Sequence, residues 1–406
     1  MTETPKSTSE YIARERKYLA QIYKPLSIVL NRGEGVWLWD TEGRKYLDFL
    51  SAYSAVSFGH LNKRIKKAMV DQLDLLDVPA RAFHTDRLGE FAQILCEFTG
   101  FERMQPMNSG AEAVETAVKV ARRWGHDVKK IPDGQQRIIV SGGNFHGRTT
   151  TVISFSSDKD YQRGFGPLTP GFDIIPFGDL EALEKAITPQ TCAFLTEPIQ
   201  GEGGILIPPK GWLKGAQEIC KRHNVLFLID EIQTGMGRTG KDFCFQHEID
   251  KPDGIMLGKA LGGGVYPVSA FLADDHVMNV LDAASHGSTF GGNPIASAVA
   301  IEAIQILKDE KLTQRSAELG KHMLDRLSAI QSPMVKDVRG KGLLIGLEID
   351  SEYATARQVC DKLLEKGLLS KDTHGTVVRF APPLVIEKEE IDWAVDTVAE
   401  VLKDMT

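Results

Sequence analysis

The 406-residue chain reads as an α/β protein, with a large domain around a mostly parallel central sheet and a smaller α+β domain. Three observations predict this. Five short apolar runs lack the alternation of a half-solvated strand: 137–140 (RIIV), 192–197 (CAFLTE), 225–230 (VLFLID), 254–259 (GIMLGK) and 267–273 (PVSAFLA). Unbroken Val, Ile, Leu and Phe suit strands covered on both faces. Amphipathic stretches such as 211–224 (GWLKGAQEICKRHN) lie between several of them, which is the rhythm of βαβ units. After a long helical pattern from Pro294 to Lys308, helices mix with the strands 342–349 (GLLIGLEI) and 376–382 (TVVRFAP). The expected division is 1–53 as an N-terminal segment packing with the small domain, 54–309 as the large domain and 310–406 as the small one.

In order along the chain, a polar tail precedes a helix expected from Glu10 to Gln21. Gly33-Glu34-Gly35 marks a turn, and apolar alternation on either side of Asp40-Thr41-Glu42-Gly43 marks a hairpin. From about Leu88 the short apolar runs take over, and no internal repeat or low-complexity stretch interrupts them.

Composition narrows the function. Hydrophobic residues make up 42% and charged residues 25%, enough to bury a core and to exclude wholesale disorder. The net charge of −7 argues against a general nucleic-acid binder but leaves room for a small anionic substrate held by local arginines. Cys96, Cys192, Cys220, Cys244 and Cys360 are scattered, without a C-x-x-C pair, so a reducing compartment is expected. The first residues lack an apolar secretory core and carry Glu3, Glu10 and Glu15, and no apolar run reaches bilayer length, so the chain reads as cytoplasmic.

Two glycine patterns are set aside. Gly235 to Gly240 matches G-x-G-x-x-G, but DEIQT separates it from the strand and no helix start follows. As a P-loop it fails because Asp242 stands where a magnesium-binding hydroxyl is needed. The histidines form no ligand cluster, so no metal is expected, and His60, His84, His223 and His247 read as surface or satisfied core residues.

In open parallel sheets ligands sit beyond the carboxyl ends of the strands. Three of the apolar runs stop there on reactive residues: Glu197, Asp230 and Lys259. A lysine at the mouth of a buried sheet is desolvated, which frees its amine to attack a carbonyl; alone it could equally snorkel to solvent. Asp230 ends a strand with no other polar residue and needs a cation, and a protonated pyridine nitrogen is such a partner. The pair points to pyridoxal 5'-phosphate. Asn108-Ser109-Gly110-Ala111-Glu112 opens the helical stretch 111–123, whose first-turn N–H groups suit a phosphate.

NSGAEA, FHGRT, EPIQGEGG, DEIQTGMGRTG, GKALGGG and HGSTFGGNP occur in that order, and over nearly the whole chain the sequence resembles the class III aminotransferases of the fold-type I pyridoxal-phosphate enzymes. The resemblance implies that Lys259 carries the cofactor covalently and shuttles the proton, while Asp230 partners its ring nitrogen. Gly110 and Ala111 would bind the phosphate, Phe145 would stack on the ring, and Gln233 would approach its hydroxyl side. Ser109, His146 and Ile232 complete the implied contacts, all within the large domain. Ser288 and Thr289 would reach the phosphate of a neighbouring subunit, implying a homodimer with shared active sites.

Within that family the chain is similar to the branch acting on L-ornithine with 2-oxoglutarate as acceptor. There Tyr23, Tyr53 and Arg148 would hold the α-amino and α-carboxylate groups, and Glu202 would mask Arg379 until the oxo acid arrives. The implied product, glutamate-5-semialdehyde, cyclises to pyrroline-5-carboxylate and links arginine to proline metabolism. Two departures stand out: Gly203-Gly204 after Glu202, a form shared with enzymes of N-acetylornithine, and Leu61-Asn62-Lys63 where the family usually has His-Pro. N-acetylornithine or 4-aminobutyrate remains the alternative donor, and Tyr53 argues against the acetylated one. A non-catalytic binding protein and a nicotinamide dehydrogenase are the readings from other classes.

Overall fold

The structure, a computed structural model, describes residues 7–406; the first six positions of the expected polar tail lie outside them. A capping box between Ser7 and Glu10 starts a helix at Thr8–Tyr18. It stops short of the expected Gln21 because Leu19 is extended.

Strands β1 (Leu30–Glu34), β2 (Trp37–Asp40) and β3 (Lys45–Asp48) form an antiparallel meander. Its first turn is tighter than the sequence suggested. Gly33 and Glu34 already pair with Leu38 and Trp37, and only Gly35, at φ +59°, takes a glycine-type conformation. The second turn falls where expected, because the Asp40 carboxylate accepts the Glu42 and Arg44 N–H groups and the Tyr46 hydroxyl. At the Leu61-Asn62-Lys63 departure, Asn62 caps the helix Lys63–Leu73 by accepting the Arg64 and Ile65 N–H groups. His60 pairs with Asp48 at 2.7 Å, and His223 pairs with Glu184 at 2.6 Å.

Seven strands make the central sheet: β4 (Arg103–Met107), β5 (Arg137–Ser141), β6 (Phe172–Ile175), β7 (Thr191–Thr196), β8 (Leu226–Asp230), β9 (Gly254–Leu257) and β10 (Ser269–Ala273). Their spatial order is β4-β10-β9-β8-β7-β5-β6. The five strands from β6 to β9 are joined by four parallel ladders, whereas β10 is antiparallel to both β9 and β4. Every residue of β7, β8, β9 and β10 is buried, the physical reason these runs show no alternation. Helix Pro294–Asp309 is buried almost all round and packs on the helices Lys63–Leu73 and Asp86–Thr99.

After residue 309, β11 (Val335–Lys341), β12 (Leu344–Ile349), β14 (Lys371–Thr373) and β15 (Val377–Phe380) form an antiparallel sheet in the order β11-β12-β15-β14, and β13 (Leu368–Leu369) stands apart. β13 runs parallel to β3, with Leu368 opposite Leu47, so the N-terminal meander gains its fourth strand from the far end of the chain. The Gly235–Gly240 loop packs against this C-terminal part. A Cβ on Gly240 would meet the backbone of Ala317 at 2.9 Å, and one on Gly342 would meet Thr239 at 2.5 Å. These glycines allow backbones to touch, and only a short 3-10 turn at Cys244–His247 follows the loop. No described helix is long and apolar enough to cross a membrane, and the described residues hold no cluster of metal ligands.

Candidate active site

β7, β8 and β9 lie side by side, so the residues leaving their carboxyl ends converge. Glu197, Asp230 and Lys259 line one cavity of about 200 Å³, with Gly110, Ala111, Phe145, His146, Ile232, Gln233 and Glu202.

Asp230 is 5% exposed. One of its oxygens accepts the Ile232 N–H at 2.9 Å, and the other accepts from His146 Nδ1 at 2.6 Å. Because the carboxylate can only accept, that imidazole nitrogen carries the proton. Burial pushes His146 down, but the bond to Asp230 and the charges of Asp230 and Glu197 outweigh it and raise the imidazole above its usual range. His146 Nε2 is buried without a hydrogen-bond partner. Glu197 accepts the Phe145 N–H at 3.0 Å, and burial, with Asp230 nearby, pushes its carboxyl up to about 7. Lys259 follows Gly258 at φ +45°, a left-handed turn that swings it out of β9 two residues beyond the last ladder position. Burial lowers its ammonium against the pull of Asp230, Glu202 and Glu197.

The anion end is built from Ser109, which caps helix Gly110–Asp127 in a capping box with Glu112. Glycine is required beside it. A Cβ on Gly110 would meet Ile232 Cδ1 at 2.9 Å, and one on Gly147, at φ +120°, would meet Ala111 Cβ at 2.8 Å. The cradle therefore keeps the first-turn N–H groups of Gly110 and Ala111 open to the cavity. Gln233 fills the place a side chain would take on Gly201, with Oε1 1.3 Å from that Cβ position. A helix N-terminus, a buried carboxylate and a desolvated lysine in one cavity fit pyridoxal phosphate.

The opposite wall is polar. Arg379 on β15 donates to Glu202 Oε1 at 2.5 Å, and its guanidinium lies 4.9 Å over the Tyr53 ring. The Arg379 side chain is 4% exposed, and its Nε has no partner. Burial raises the Tyr53 phenol, with Arg379 opposing and Glu202 adding to the shift. The four residues Ser51 to Ser54 all have positive φ, from +44° to +76°. Each such residue costs on the order of 1 kcal/mol.

The other expected residues lie further out. Tyr23 is exposed, outside the cavity lining, within electrostatic reach of Tyr53. Arg148 is exposed and packs over Tyr161 at 3.8 Å and Phe145 at 5.5 Å. Ser288 accepts from Asn108 Nδ2 of its own chain at 3.0 Å, and Thr289 is exposed; neither lines the cavity. Sequence reasoning marked Glu197 only as a strand-end carboxylate and missed Tyr161, which sits in a polar stretch with no motif around it.

The profile of the class-III aminotransferases matches residues 18–402. The chain is 56% identical over 395 residues to an ornithine aminotransferase of Brevibacillus brevis, covering 97% of this chain and 98% of that one. A Toxoplasma gondii ornithine aminotransferase structure, described as showing partial occupancy of PLP at its active site, superposes with a TM-score of 0.97. Identity is 43%, covering 99% of this chain and 95% of that one. An acetylornithine aminotransferase of Elizabethkingia anophelis is 44% identical with a TM-score of 0.89, covering 98% of this chain and 100% of that one.

Proposed function

The chain belongs to the class-III aminotransferase family, a family that uses pyridoxal phosphate, and on that premise we propose that it transfers the δ-amino group of L-ornithine to 2-oxoglutarate. The observation that carries this reading is the ion pair of Arg379 with Glu202, which lines the same cavity as Lys259. 2-Oxoglutarate needs a guanidinium for its α-carboxylate, and a bare guanidinium would repel ornithine's ammonium. Glu202 neutralises Arg379 while the diamine is bound and releases it for the oxo acid.

Pyridoxal phosphate, when bound, supplies an aldehyde that captures amines and a ring that accepts electrons. Lys259 would hold it and move the proton to and from the substrate's δ-carbon, and burial lowers its ammonium towards that task. Asp230 is the anion for the ring nitrogen, fixed by His146 and the Ile232 amide. The Gly110 and Ala111 amides would bind its phosphate with Ser109 as cap, Phe145 would cover its ring, and Gln233 would reach its hydroxyl side. Tyr23, Tyr53 and Arg148 hold the α-amino and α-carboxylate ends of ornithine. The products are glutamate and glutamate-5-semialdehyde, which closes to pyrroline-5-carboxylate and joins arginine breakdown to proline formation.

Ser288 and Thr289 sit on a partly exposed segment beside the helix that starts at Gly110, a placement that suits a homodimer sharing its active sites. The five unpaired cysteines, four of them buried, suit a reducing cytoplasm. The β3–β13 ladder supports reading 1–53 as a segment packing with a small domain of 310–406, beside a large domain of 54–309.

The test is to mix holoenzyme with ornithine alone, follow the cofactor spectrum and trap the product with o-aminobenzaldehyde. A spectral change and a coloured adduct are expected. Higher kcat/KM with N-acetylornithine would move the assignment to the acetylated donor, as Gly203-Gly204 and the Elizabethkingia relative would allow.

A further inference from the structure

We propose that Arg238 is a positioning residue for substrate recognition, tying the strained segment that carries Tyr53 and the strand that carries Arg379 to the loop that follows Asp230. This rests on the placing of Tyr53 and Arg379 in the substrate wall. Arg238 lies in the glycine loop set aside as a nucleotide motif, yet it is 1% exposed. Its Nη1 donates to the carbonyls of Leu343 at 2.9 Å and Pro382 at 2.6 Å. Its Nη2 donates to the hydroxyls of Ser57 at 2.9 Å and Ser51 at 3.3 Å. One planar group thus joins three stretches of chain far apart in sequence.

Both ends of that bridge lead to the wall. Ser51 begins the run of positive φ, its hydroxyl donates to the Ala381 carbonyl at 2.6 Å, and Ser57 donates to the Ser54 carbonyl at 2.9 Å. Tyr53 lies inside that clasp. Ala381 and Pro382 directly follow the end of β15 and stand two and three residues beyond Arg379. Among the described residues no carboxylate bonds the guanidinium; Asp48 acts only through its field, and its own oxygens serve Leu50, Ser51 and His60. A buried charge whose two Nη groups are held by carbonyls and hydroxyls, with Nε left unpartnered, spends its directionality on geometry. The fork of five fixed donors is what the four acceptors need, and a lysine ammonium could not span them.

The experiment compares holoenzyme with Arg238→Lys, and with the Ser51→Ala/Ser57→Ala double variant should the lysine form fail to fold. Glutarate, an unreactive dicarboxylate, is titrated calorimetrically, and steady-state constants are measured for the amino donor the wild type prefers and for 2-oxoglutarate. Glutarate Kd and both KM values are expected to rise about tenfold in Arg238→Lys and about threefold in the double variant, with kcat altered less than about threefold. A lowered melting temperature with unchanged Kd and KM would overturn the proposal, because a merely structural clasp loses stability alone. Arg379→Ala serves as the control for the reading beneath it. If that variant binds glutarate normally, the substrate wall is misassigned; if it loses binding while the Arg238 variants do not, only the positioning role falls.

Discussion

Glu197, Asp230 and Lys259 leave neighbouring strands of one parallel sheet, whereas Tyr53, Glu202 and Arg379 are gathered from three segments belonging to different sheets and loops. Side chains at the first set inherit their spacing from the backbone ladder, which is buried and continuous. The second set is held by side-chain clasps: Thr373 donates to the Glu202 carbonyl at 2.5 Å, Arg339 donates to the Gly204 carbonyl at 2.7 Å, and Arg238 grips the turn around Tyr53. Ladders are hard to perturb one residue at a time, and clasps are not. On the proposed assignment, the chemistry common to the family belongs to the sheet, and the choice of substrate belongs to the wall.

The sharpest break of that contrast is Lys259→Ala. Turnover is expected to fall at least about 10³-fold, as for loss of a residue that acts covalently and as a proton carrier. Circular dichroism and the elution volume should stay those of the wild type. Activity within tenfold of normal would take the chemistry away from the sheet ends.

On the wall, Glu202→Ala leaves Arg379 buried without its counter-ion. Losing one partner of such a pair is worth about 2 kcal/mol or more, so the ratio of kcat/KM for ornithine over glutamate should drop about thirtyfold. Half-reaction kinetics with each donor would show it, and an unmoved ratio would contradict the masking role.

A third change sharpens the account of the sheet ends by pH. Glu231, next to Asp230, accepts the Phe245 N–H at 2.8 Å and the Thr234 hydroxyl at 2.5 Å, and burial pushes its carboxyl up to about 7 from an ordinary 4.5. Between those values the folded protein holds a proton that the unfolded chain has lost, so this group makes stability fall as pH rises towards 7. Glu231→Gln removes that dependence. The melting temperature of the variant relative to wild type should climb from pH about 5 to about 7 and then level off. The whole effect is at most about 3 kcal/mol, from the size of the displacement. A flat difference would show that the site relaxes around the charge.

The smallest effect is expected at Tyr161→Leu, which removes the ring beneath Arg148. An exposed contact of this kind is worth about 0.5–1 kcal/mol, so KM for ornithine should rise about two- to fivefold, with KM for 2-oxoglutarate unchanged.

The same contrast explains what could be read from the chain alone. Asp230 and Lys259 stood out because a charged residue closing an apolar run is chemically conspicuous. The helix start at Ser109 was visible through its capping box. The direction of β10 was not, since a strand buried on both faces has the same composition either way round. β4 was missed because RMQPM is mixed in character and holds Pro106, which an edge strand tolerates. Residues 51–54 contain no glycine, so nothing in SAYS announced four positive φ angles in succession. Arg238 was hidden for another reason: its neighbours form a glycine pattern, and only the tertiary structure shows that the pattern serves close packing.

The pairing of β3 with β13 has a bearing on biosynthesis. Leu47, already opposite Trp37, gains its second neighbour only when Leu368 exists, and the carbonyl of Phe49 waits for the amide of Ala381. A growing chain on the ribosome can complete its central sheet while these early residues are still without their partners. The surroundings of Tyr53 and Arg379 therefore close among the last events of synthesis, and under the proposed assignment a nascent polypeptide stalled before residue 368 would carry Lys259 with no means of choosing what it meets.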